Sequence, residues 1–272
     1  MKPKIKPKVL FVMTSCSQLG DSSWGTGAWF ETIATPYEIL TGRHIEVVFA
    51  TPEGGEVPVD PDSRLPQYLT YYTEKFDLND RAQRALQRTN RLEEMKPEDF
   101  DAVLFPGGHG VLFDLVSNPT SIRFIETIID LGKPLALIGH AVGALRYVQK
   151  RSGESFVEGK KVTGFSNSEE AALALLRMLG FVPYRFLRFG NFLTYLISFL
   201  PSPEYATLLR LRGSVPFLVE RMLKRSGADY VHKKNWYPFM VEDLTEDGGH
   251  LLTGQNPASA ALVADRLAEI LT

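Results

Sequence analysis

Short apolar runs alternate with amphipathic stretches along most of the chain. Lys8–Met13, His44–Ala50, Ala102–Phe105 and Pro134–Ile138 read as buried strands, with helices predicted over Ala28–Thr41 and Ser121–Leu131 between them. Leu251–Thr253 reads as a further short strand. Ala258–Leu271 reads as an amphipathic closing helix, with Ser259 and Asp265 among its polar positions. This β-α-β rhythm predicts a parallel sheet covered by helices on both faces, an α/β/α sandwich. Such sheets carry ligand sites at the C-terminal ends of their strands, so the loops Thr14–Trp29, Pro106–Phe113 and Gly139–Val142 should converge there. Pro52–Pro66, rich in Pro, Gly and Asp, reads as an exposed excursion within a single domain spanning 1–272.

One stretch departs from this rhythm. Between Leu173 and Leu223 the chain repeats itself at an offset of 33 residues. Leu175-Leu-Arg177 returns as Leu208-Leu-Arg210, Gly180 as Gly213, Val182-Pro183 as Val215-Pro216, and Arg188 as Arg221. The order and spacing predict a local duplication of one helical unit, an apolar insertion over about 173–212. Its aromatic residues, Phe186, Phe189, Phe192, Tyr195 and Phe199, need a cover: a pocket beneath a lid, a second subunit or a membrane surface.

Composition narrows the classes. The 272 residues are 44% hydrophobic and 23% charged, ordinary for a globular protein, and the net charge of −2 offers nucleic acid no electrostatic footing. The single cysteine, Cys16, excludes an internal disulfide framework and a cysteine-based zinc site, and suits the cytoplasm. The basic N-terminus precedes only a short apolar run, too brief for a signal-peptide core. The longest apolar stretch, Phe192–Leu200, is about half of what a membrane span requires.

The candidate chemistry gathers where Pro134–Ile138 ends at Gly139-His140 and a small-residue helical stretch follows. That is the outline of a nucleophile elbow, a sharp strand-to-helix turn that lifts one side chain over the sheet edge. The tip residue is Gly139, which suits a backbone at positive φ but has nothing to attack with. His140 is a candidate general acid or base, or else a structural histidine at the turn, and no carboxylate close in sequence is available to orient it. Gly107, Gly108 and Gly110, with His109, form a loop whose N–H groups make a nest for an oxyanion or carbonyl oxygen. Cys16 is a candidate displaced nucleophile or a small semi-buried thiol. Trp24, Trp29 and Phe30 wall a pocket or pack the core. His109, His140, His232 and His250 show no ligand spacing, so no metal and no cofactor is expected.

Several segments, taken in order, resemble the DJ-1/PfpI superfamily in its Hsp31-like, glyoxalase III-like branch. They are Lys8–Ser15, Thr26-Gly27, Phe105-Pro-Gly-Gly-His-Gly110 with Leu112–Leu115, Val162–Glu170, Val215–Leu218 and Leu252–Ser259. The resemblance spans nearly the whole chain and implies a flavodoxin-like fold, a dimer, and a reactive cysteine at the elbow beside a glutamate on the first helix. Here the family's Cys-His-Gly-Pro is Gly139-His140-Ala141-Val142. Its glutamate, four residues before a helical proline, falls on Thr32, with Glu31 one position away, about 100° round the helix. The family's thiol mechanism is therefore not expected.

Two functions remain open. One is a cofactor-free, thiol-independent enzyme with isomerase, lyase or cyclase chemistry on a small hydrophobic carbonyl-bearing metabolite. His140, Glu31 and Cys16 are its candidate catalytic residues. Gly107, Gly108, His109, Gly139, Thr32 and Trp29 are its candidate substrate contacts. The other is a non-catalytic ligand binder, holdase or partner subunit.

Overall fold

A computed structural model describes residues 6–178 and 215–272. The predicted insertion over 173–212 and its aromatic residues fall almost wholly outside them, and so does at least one member of each duplicated pair.

The strands are β1 (Lys8–Val12), β2 (Glu46–Thr51), β3 (Asn90–Arg91), β4 (Ala102–Phe105), β5 (Leu135–Ile138), β6 (Lys161–Val162), β7 (Asp229–Tyr230), β8 (Met240–Leu244) and β9 (His250–Gly254). The described α-helices are α1 (Phe30–Gly42), α2 (Tyr71–Asp77), α3 (Asp80–Gln87), α4 (Val111–Asp114), α5 (Pro119–Asp130), α6 (Asn167–Met178), α7 (Val219–Arg225) and α8 (Ala260–Leu271). Seven strands form one sheet in the order β3-β2-β1-β4-β5-β9-β8, and β6 pairs with β7 apart from it. All neighbours in the main sheet run parallel except the edge strand β8, which returns antiparallel to β9. The apolar-run reading found the parallel centre but not β8, whose Met240-Val-Glu-Asp-Leu244 mixes charge into a strand with partly exposed residues.

Successive side chains of a strand point to opposite faces, and both faces here are buried. Val9, Phe11, Leu104, Ala136 and Ile138 pack beneath α1 and α8, against Ile33, Tyr37, Leu40, Val263 and Leu267. Leu10, Val12, Val103, Phe105, Leu135 and Leu137 pack on the other face against Phe124, Ile125 and Ile128 of α5 and Val219 and Leu223 of α7. The result is the three-layer, flavodoxin-like sandwich. No described helix is long and apolar enough to cross a membrane.

The segment 52–66 corrects the expectation of an exposed excursion. Val57, Asp60 and Ser63 are buried. Ala28 N–H donates to the Pro58 carbonyl, and Asp60 N–H returns a bond to the Ala28 carbonyl. α1 starts without a side-chain cap of its own, and the Ser63 hydroxyl accepts the Phe30 N–H instead. The segment thus fixes the start of the helix that borders the elbow, satisfying a donor the helix leaves open.

Candidate active site

The predicted loops meet at the C-terminal ends of β1, β4 and β5. Trp29 N–H donates to the Gly107 carbonyl at 2.7 Å, so the entry to α1 lies against the loop after β4. A Cβ at Gly107 would stand 2.5 Å from the Ile138 carbonyl oxygen, and one at Gly108 (φ +135°) 2.3 Å from that of Gly27. Only glycine permits these approaches. Thr32 lies fully buried, and its hydroxyl donates to the carbonyls of Trp29 and Gly107.

Gly139 turns at φ +61°, the left-handed conformation expected of an elbow. An added Cβ would meet nothing nearer than 3.8 Å, so a side chain here faces backbone strain rather than collision. The stretch after it is a 3-10 helix, Gly139–Tyr147, which carries His140 in its first turn.

His140 is buried, with Phe165 stacked on it at 4.0 Å between ring centroids, and its Nε2 lies 2.7 Å from Glu170 Oε2. The other carboxylate oxygen, Oε1, stands 3.2 Å from His109 Nε2. The two imidazoles lie 4.1 Å apart. One buried carboxylate thus bridges two histidines contributed by the loops after β4 and β5.

Local sequence explains the placement of Glu170. Ser166 caps α6: its hydroxyl accepts the Glu169 N–H, and the Glu169 carboxylate accepts the Ser166 N–H, a reciprocal capping box. Glu169 Oε1 also accepts from Trp236 N–H and from the side-chain amides of Gln255 and Asn256. With Glu169 held by these neighbours, the next residue, about 100° round the helix, faces the imidazoles.

Electrostatics separate the acidic candidates. Burial works to raise the Glu170 carboxyl, but the charges and hydrogen bonds of His109 and His140 outweigh it and hold the group well below the usual carboxylate range. Burial pushes Glu31 up, partly offset by hydroxyls of Thr70 and Thr35, which donate to its two oxygens. Burial likewise lifts Asp114 to about 6, although Thr14, Ser15 and Cys16 all donate to it. The Cys16 thiol donates to the Gln18 carbonyl, and burial pushes it further from thiolate formation.

The structure therefore gathers His140, His109, Gly107, Gly108, Gly139 and Thr32, and turns other candidates elsewhere. Glu31 is engaged by Thr35 and Thr70, while Thr32, not Glu31, reaches the Gly107 carbonyl. Cys16 sits with Asp114. Trp29 is half-buried and edge-on to Tyr68. Phe30 belongs to the core, against Phe76 and under the Arg64 guanidinium, while Trp24 is exposed. The orienting carboxylate absent from the neighbourhood of His140 in sequence is Glu170, thirty residues on. Its signal was the capping pattern Ser166-Asn-Ser-Glu169, which predicts a helix start and places an acid one residue further along.

Among known proteins, the chain is 25% identical over 263 residues to Glyoxalase 3 of Candida albicans, covering 95% of each chain. It is also 25% identical to the glutathione-independent glyoxalase HSP31 of Saccharomyces cerevisiae, over 100% of this chain and 99% of that one. Rapid Encystment Protein 24 KDa of Francisella tularensis superposes with a TM-score of 0.77 at 27% identity, over 98% of this chain and 99% of that chain. The crystal structure of glyoxalase III from Candida albicans, at 22% identity and a TM-score of 0.73, shares the fold over 98% of each chain. The model of the DJ-1/PfpI family matches residues 30–174, more than half of the sequence. The chain belongs to the DJ-1/PfpI family, in its Hsp31-like branch.

Proposed function

We propose that the protein is an enzyme that moves protons on a small, hydrophobic, carbonyl-bearing metabolite without a nucleophilic thiol. The observation that carries the reading is the Glu170 carboxylate bridging His109 and His140 beside an elbow whose tip, Gly139, has no side chain. A carboxylate on one ring fixes the orientation and tautomer of an imidazole and stabilises it once protonated. In this reading the substrate carbonyl lies at the elbow and accepts from the N–H groups of Gly108 and His140. His140 takes the proton next to the carbonyl and returns it to a different atom, so an isomerisation needs no external reagent. Glu170 balances the charge of the imidazolium while the proton is held. The relatives named as glyoxalases support a carbonyl substrate.

The test compares extracts incubated with wild-type protein and with His140→Ala by untargeted mass spectrometry. The proposal expects a carbonyl compound consumed by wild type, left intact by His140→Ala, and still consumed by Cys16→Ser. A compound bound equally by wild type and His140→Ala but converted by neither would overturn the enzymatic reading and establish a binder. Loss of turnover in folded Cys16→Ser would overturn its thiol independence.

A further inference from the structure

Three potential ligand atoms converge where Glu170 meets the two imidazoles. One ring nitrogen each of His109 and His140 and a Glu170 oxygen all lie within 4.8 Å of one another. The three side chains are 2%, 6% and 9% exposed. Two histidines and one carboxylate, each from a different element, are the donor set of a three-ligand zinc site that leaves a fourth position to solvent. Nitrogen donors disfavour magnesium and calcium, which prefer all-oxygen shells.

We propose that His109, His140 and Glu170 form a binding site for a divalent transition metal ion, zinc by its donor set. Metal–ligand lengths of about 2.0–2.2 Å in a tetrahedron place neighbouring ligand atoms roughly 3.3 Å apart. Each imidazole now faces its own carboxylate oxygen, His109 Nε2 at 3.2 Å from Oε1 and His140 Nε2 at 2.7 Å from Oε2, so binding an ion through one oxygen requires the carboxylate to turn between the rings. The backbone around the ligands is fixed independently of any ion. The Gly107–Gly108 approaches set the His109 loop, the elbow sets His140, and the capping box sets Glu170. A zinc ligand presents an unprotonated Nε2, so on binding each ring carries its proton on Nδ1 and the Nε2–H donation to Glu170 ends. The metal-loaded and proton-carrying states of His140 are therefore mutually exclusive. This site goes beyond the acid–base reading and does not rest on it.

The test measures metal, not turnover. Metal-stripped full-length protein is titrated with Zn2+ against a chromophoric chelator and, separately, with Co2+ followed by its visible d–d absorption. The expected result is one ion per chain with the spectrum of a four-coordinate site. Binding should weaken by about 100-fold or more in Glu170→Gln and in His109→Gln. Circular dichroism confirms that each variant is folded; if one is not, the other and His140→Gln carry the comparison. Failure of wild-type protein to bind either ion, or equal binding by folded variants, would overturn the proposal. Either result leaves the metabolite comparison above to judge the enzymatic reading separately.

Discussion

Glu31 and Glu170 both lie in the first turns of helices that border the elbow, and both are largely withdrawn from water, yet they are held in opposite ways. The two oxygens of Glu31 accept from the hydroxyls of Thr35 and Thr70, and burial drives its carboxyl toward the neutral form. The two oxygens of Glu170 face His109 and His140, and the carboxylate stays ionised despite deeper burial. A hydroxyl can satisfy a lone pair, but it brings no charge to offset desolvation; an imidazole can bring both. The partner, not the residue type or its helical position, decides in which direction each buried carboxyl is shifted. Groups whose environments drive their titration apart in this way are the ones to test for distinct roles.

The largest expected effect contrasts the two directly. Glu170→Gln should lower kcat/KM for the compound found in the metabolite comparison by about 100- to 10,000-fold, the range for losing a positioned acid–base system. Glu31→Gln should change it by only a few-fold. Comparable losses from both would put Glu31 back in the reaction and break the contrast.

Glu169 sharpens the comparison, because it is a neighbouring carboxylate satisfied wholly by uncharged donors. Glu169→Ala leaves the N–H of Trp236, the amides of Gln255 and Asn256, and the Ser166 cap without their acceptor. Each buried donor left unpaired costs about 1–3 kcal/mol, so a stability loss of about 3 kcal/mol or more is expected in urea unfolding. A loss below about 1 kcal/mol would show that water replaces the carboxylate and that Glu170 is positioned by something else.

Gly139→Ala tests the elbow between the two glutamates. With 3.8 Å of clearance, the cost is the left-handed backbone alone, about 1–2 kcal/mol by the same unfolding measurement. A much larger loss would mean that the site has less room than the backbone suggests.

The smallest effect is in pH dependence. The folded-state pKa of Glu31 is raised, so its contribution to stability is complete below the unfolded carboxylate value near 4.3. That contribution is lost as pH rises through the folded value. Glu31→Gln should remove this decline, giving a flatter stability curve above about pH 4, as read by chemical unfolding at a series of pH values. A curve that instead steepens would mean that Glu31 is stabilised as an anion, like Glu170.

The sequence by itself determined the sheet centre and the elbow. Runs such as Leu135–Ile138 are apolar at every position because both faces of their strands are covered, and that pattern survives without any knowledge of neighbours. Gly139 at the strand end announced a positive φ because few other residues take it cheaply. Pro52–Pro66 misled, because its turn-forming composition describes local backbone and says nothing of the α1 entry it supports.

Only the tertiary structure joined Glu170 to His109 and His140, across 61 and 30 residues of chain. No periodicity links them, since each occupies a different element and local pattern reports only how an element buries its own faces. Their meeting depends on the sheet order that sets β4 beside β5, and on the capping box that fixes the rotation of α6. Chemistry at a strand edge is assembled from several loops, so its carboxylate appears in sequence as one acid among 32 acidic residues until the fold gives it partners.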